Sequence, residues 1–165
     1  MTDRLPAANP WRRMMGITYE SIILFGVIWF ANYAFSALTQ FRGELGPMRH
    51  AFQAFTIAVL GVYFGFFWSK GRVSLPMKTL SLAVQTTDGR APSGLHAVLR
   101  FSLALALPVA AIGAGHLVSG WFYLMVPASW LWCLVDRDHQ SLHDRLSGTR
   151  LVNRAPDSKV RSVDV

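Results

Sequence analysis

The sequence predicts an all-α membrane protein: a four-span transmembrane helix bundle with a short cytoplasmic β-prone loop and a C-terminal amphipathic helix. Three observations lead there. Of the 165 residues, 52% are hydrophobic and 15% charged, with a mean hydropathy of +0.32. A soluble domain usually carries about 25% charged residues. The apolar residues lie in blocks as long as a bilayer is thick, not at amphipathic spacing. The basic residues crowd into alternate segments between those blocks. A soluble single-core fold and a disordered basic chain are both excluded on these grounds.

The first span is predicted at 17–38, an apolar run interrupted by one carboxylate, Glu20. Arg4, Arg12 and Arg13 precede it and would suit a signal peptide. The run exceeds a typical h-region of about 7–15 residues and contains an acid, so a retained span is the better reading. Gly43, Gly46 and Pro47 break the chain before the second span at 51–68, which has no charge. Residues 95–135 hold only His96, Arg100 and His116 as ionisable groups, too long a stretch for one crossing. The glycines at 113, 115 and 120 mark a turn, giving spans at 97–115 and 120–135. Pro108 and Pro127 are expected to kink them. Residues 1–10 read as a cytoplasmic tail, 11–154 as the membrane domain and 155–165 as a disordered tail.

Orientation follows from the lysines and arginines. Fourteen of the 16 fall in the N-terminus, the segment after the second span and the C-terminal segment, leaving Arg42 and Arg49 on the opposite side. The rich side is expected to be cytoplasmic and to hold both termini. The basic balance thus reads as topology and attraction to anionic lipid head groups, not as nucleic-acid binding. On the cytoplasmic side, Leu80, Leu82 and Val84 alternate with polar or small residues before Asp88 and Gly89, as a strand and turn would. The β-prone run 149–153 is a candidate partner strand. Residues 136–149 are expected to form a docked helix, with Asp136, Gln140, His143 and Asp144 on one face and Gly148 at its end.

Ionisable residues in or beside spans are the candidate site. Arg13 and Glu20 lie two helical turns apart on nearly one face. Arg100 opens the third span, and the segment after the fourth span holds His143, Asp144 and Arg145. These six form the expected charge network, with Lys78, Asp136, Gln140 and Thr149 as secondary candidates. Glu20 suits either a structural ion pair with Arg13 or Arg100, or a proton- or cation-handling role. His139 and His143 have the i, i+4 spacing of metal ligands, but no cysteine or HExxH glutamate accompanies them, so no metal is expected. Gly61 and Gly65 form a GxxxG that suits helix packing. No phosphate loop, GxSxG, GxGxxG or CxxC occurs, so no cofactor and no enzymatic activity is expected.

Arg13 with an acid seven residues on, the run Gly71–Thr79 followed by Arg100, and the closing His143, Asp144, Arg145, Leu146, Ser147, Gly148, Thr149 together resemble the RDD family of bacterial inner-membrane proteins. The resemblance covers roughly residues 10–155, and Glu20 stands where the family has its first aspartate. It implies a polytopic inner-membrane domain, with cation/proton exchange proposed for some members. Among functions, an interaction or assembly module locked by the Arg/acid/Asp network asks least of the sequence. Its partners are the bilayer and anionic head groups, with a second copy or another membrane protein left open. A small cation/proton transporter is the alternative. An enzyme using His143 and Asp144 is disfavoured, because neighbours on a helix point about 100° apart.

Overall fold

The computed structural model describes residues 5–136 and 140–154. Three helices are long and apolar enough to cross a membrane. α1 spans Pro10–Thr39, α2 Pro47–Phe67 and α4 Gly94–Leu117. Each start follows from its sequence. Asn9 caps α1 by accepting from Trp11 N at 2.9 Å, and Pro10 fits the first turn, where no amide partner is needed. Pro47 does the same for α2, and the Ser93 side chain caps α4. α4 continues through Pro108.

The outward faces of these helices are apolar. Phe25 is 72% exposed, Phe30 69% and Trp29 61%. A water-soluble protein does not display such a surface, whereas hydrocarbon is its natural solvent. α2 packs against both α1 and α4. The α1–α2 seam is aromatic, with Phe35 against Phe52 and Phe55, and Thr56 donates to Asn32 Oδ1 across it. At the α2–α4 seam Phe101 lies where a Cβ on Gly61 would stand, 3.3 Å away, while Gly65 faces open space. The GxxxG therefore serves packing within the chain through one of its glycines.

The expected fourth span is not one helix. Gly120–Leu124 and Trp132–Leu134 are 3-10 turns flanking α5, Met125–Leu131. The segment starts beyond the far end of α4 and leads back to the layer holding Arg13. Its 3-10 pieces rise about 2.0 Å per residue against about 1.5 Å in an α-helix. Close packing on α4 shapes it: a Cβ at Gly115 would stand 2.6 Å from the Tyr123 ring.

A polar-edged layer closes one end of the bundle. It contains α3 (Leu75–Thr79), β1 (Leu82–Thr86), α6 (Leu142–Leu146) and β2 (Thr149–Asn153). β1 and β2 pair antiparallel, Leu82 with Asn153 through Thr86 with Thr149. The alternation that predicts a strand holds for 82–86. Lys78 to Leu80 instead end and cap α3, and Ser81 turns the chain with φ 52°. Residues of the expected N-terminal tail join the sheet: Ala8 N donates to Leu151 O, and Asn153 N donates to Pro6 O. This pairs the second edge of β2, where Val152 and Leu151 are buried. Ala8, Met77, Leu82, Val84 and Leu151 form the dry core of this layer.

Among the described residues of the predicted helix over 136–149, only the five of α6 are helical, and Gly148 ends it at φ 64°. Gln140 precedes α6, and its side chain bridges to β2 instead of following a helical face. His139 and the tail 155–165 lie outside the described residues.

Candidate functional site

Asp144 is wholly buried where α1, α4 and α6 converge. Its Oδ2 accepts from Arg13 Nη2 at 2.7 Å, and Arg100 Nη2 stands 2.6 Å from Oδ1. Both arginines are only 4% exposed. Arg13 reaches the site from the first turn of α1, and Arg100 from the second turn of α4. Ser141 occupies the N-cap position of α6, which carries Asp144 into its first turn. Burial alone would raise the Asp144 carboxyl, but Arg100 and then Arg13 outweigh it, with smaller help from His143 and a Ser141 hydrogen bond. The net result holds Asp144 well below the usual carboxylate range, so it is an anion at neutral pH.

The surroundings fix both guanidiniums. Arg13 Nη2 also donates to Gln140 Oε1 at 3.0 Å, and the same oxygen accepts from Leu151 N. Gln140 thereby ties the charge cluster to β2. Arg100 stacks on Trp68 at the end of α2, 4.3 Å from the ring centroid, a cation–π contact. His143 Nε2 lies 3.1 Å from Ser141 Oγ and 3.6 Å from Asp144 Oδ1. Burial pushes the imidazole down to about 4. Asp144 opposes that fall, and the two arginines add to it. A nucleophile–base–orienter relay uses the two ring nitrogens separately; here the serine and the aspartate both meet Nε2.

Glu20 departs from the expected ion pair. Its Oε1 accepts from Tyr63 Oη at 2.5 Å and its Oε2 from Ser74 Oγ at 2.6 Å. Among the described residues no arginine or lysine nitrogen lies within 4.0 Å of it. The reason is competition: Asp144 takes both arginines, and the hydroxyls of α2 and the α3 N-cap are nearer. Arg145 also stands apart. It is half-exposed and pairs with Asp136 at 2.9 Å, while Asp136 accepts from Gln140 N. Thr149 is buried against Ser147 Oγ, and Lys78 is exposed on α3.

A cavity of about 270 Å³ joins the two carboxylate sites. Arg13, Arg100 and His143 line its base, Glu20 its side, and apolar residues of α1, α2 and α4 its walls. Trp68, Tyr63, Ser74 and Ser141 escape the sequence reading as site residues. Ser141 and Ser74 carry a local signal, each a serine placed to cap a short helix, α6 and α3. Tyr63 and Ser74 lie 43 and 54 residues from Glu20, with nothing in the sequence to couple them.

Three apolar helices of spanning length, closed at one end by a small sheet and a buried arginine–aspartate–arginine cluster, define a helical membrane protein with three candidate membrane-spanning helices. The chain matches the model of the RDD family over residues 7–148, and it belongs to that family. No curated protein and no solved structure matches it.

Proposed function

We propose that this protein is a membrane interaction and assembly module of the bacterial inner membrane. The observation that carries the reading is the contact of Asp144 with both Arg13 and Arg100. These charges neutralise one another at one point and fasten the sheet layer to α1 and α4. They do not line up along a path. Such a latch makes a rigid platform. Its open face carries Lys70, Arg72, Lys78 and Arg90, suited to anionic head groups, a second copy of the chain or another membrane protein.

In this reading the 120–135 segment completes a fourth crossing, and both termini lie in the cytoplasm. The basic-residue asymmetry supports that orientation. A reporter fused after Asn153 should be active as a cytoplasmic and inactive as a periplasmic enzyme. The assembly role itself is tested by site-specific crosslinking in cells from the platform face. Discrete adducts in the wild type, lost in Asp144→Asn at equal protein level, are expected.

A second reading is a small cation/proton transporter. It is favoured by Glu20, a carboxylate within α1 that borders the 270 Å³ cavity. Purified protein in liposomes with pH- and cation-sensitive dyes separates the two. Flux that disappears in Glu20→Gln would replace the assembly role by transport; no flux in either protein keeps it.

A further inference from the structure

The cavity has an uneven charge arrangement at its base. Two guanidiniums meet a single aspartate, and the fourth charged group, Glu20, is engaged elsewhere by two hydroxyls. Arg100 is 4% exposed, and its Nε and Nη1 make no hydrogen bond; Arg13 Nε is in the same condition. A buried guanidinium N–H is an obligatory donor, and leaving it unmatched is unfavourable. Above this base the walls are apolar: Ile17 and Leu24 from α1, Leu60 and Phe64 from α2, Leu105 from α4. From Arg13 to Leu24 the wall climbs roughly 16 Å along α1. One end is cationic and donor-rich, and the other is hydrocarbon, walled by helices of spanning length.

We propose that this cavity binds a single-chain carboxylate amphiphile, its carboxylate met by Arg100 and Arg13, whose buried unmatched N–H groups turn towards it, and its chain along the α1, α2 and α4 walls. A monoanion balances the one positive charge that the two arginines hold in excess of Asp144. A carboxylate suits planar guanidinium donors. A molecule drawn from the bilayer already has its chain in hydrocarbon, so only the head group changes surroundings. Glu20 is the one feature that opposes the anion, and its negative charge is expected to weaken binding. This claim stands apart from the assembly role and, in its sign of charge, is the reverse of a cation site at Glu20.

The test uses the full chain in nanodiscs of zwitterionic lipid, with radiolabelled dodecanoate and empty nanodiscs as background. Saturable binding to the protein is expected, with dodecanol and dodecyltrimethylammonium failing to compete. Arg100→Lys keeps the charge but loses the planar donors and should bind roughly tenfold more weakly. Ala104→Phe fills the cavity while leaving every charged residue in the sequence and should abolish saturable binding. Glu20→Gln should bind more tightly than the wild type. The proposal is overturned by background-level binding to the wild type, by equal competition from dodecanol, or by undiminished binding in Ala104→Phe. Preference for dodecyl phosphate, or for the alkylammonium, would overturn it equally.

Discussion

Glu20 and the two arginines that hold Asp144 border one cavity, yet the chain treats the two carboxylates oppositely. Asp144 sits wholly buried between two arginines, while half-buried Glu20 accepts from two hydroxyls. Ion pairing in a poorly hydrated site is strong but rigid, since either partner left alone bears its full desolvation cost. Hydroxyl donors cost less to bury and less to lose. The first arrangement fixes the architecture. The second leaves a carboxylate whose partners can rearrange.

The sharpest way to break this contrast is at Asp144. Asp144→Asn leaves two buried guanidiniums without a counter-ion and should cost about 3–5 kcal/mol of stability. The measurement is thermal or denaturant unfolding in detergent. Arg13→Gln alone should also be costly, and the double variant should lose less than the two single losses combined. Strict additivity would mean that the cluster is three independent contacts.

The next effect is acid sensitivity. His143 titrates at about 4 in the folded chain against an ordinary 6.5, so between these values the unfolded chain binds the extra proton. Its contribution is therefore fully present above about pH 6.5 and is lost as pH falls towards 4, by up to about 3 kcal/mol. The Asp144 contribution is present throughout that range and is lost only at still lower pH, because its folded value is depressed below the usual carboxylate range. His143→Gln should flatten the stability profile between pH 6.5 and 4. An unchanged slope would place the responsible group elsewhere.

At the hydroxyl site the changes should be milder. Glu20→Gln keeps one oxygen to accept a hydroxyl but sets an amide against the other, at about 1 kcal/mol. Tyr63→Phe should match it, and the pair should be coupled. A loss as large as that of Asp144→Asn would erase the distinction between the two carboxylates. The smallest effect is expected at Gly148→Ala, outside both sites. Its φ of 64° favours glycine, and alanine there should cost about 1 kcal/mol or less. The readout is the same unfolding midpoint.

By itself the sequence determined the solvent of this protein and the outline of its fold. Apolar runs of spanning length at α1, α2 and α4 have no other home, because hydrocarbon satisfies no backbone group and forces helices. The strand at 82–86 was legible from period two, and its partner from β-branched residues. The candidate arginines and Asp144 were legible too, because charges beside spans are rarely accidental. Tertiary structure alone decided which charges meet. Arg13 and Asp144 are 131 residues apart, and Glu20 faces Tyr63 and Ser74 because of how α2 and α3 lie against α1. It also decided that 120–134 runs as 3-10 and α pieces, and that α6 stops after five residues where Gln140 and Gly148 hand the chain to β2. Local periodicity reports one helix or strand at a time. Partner choice among buried charges depends on distances that exist only after the helices have packed.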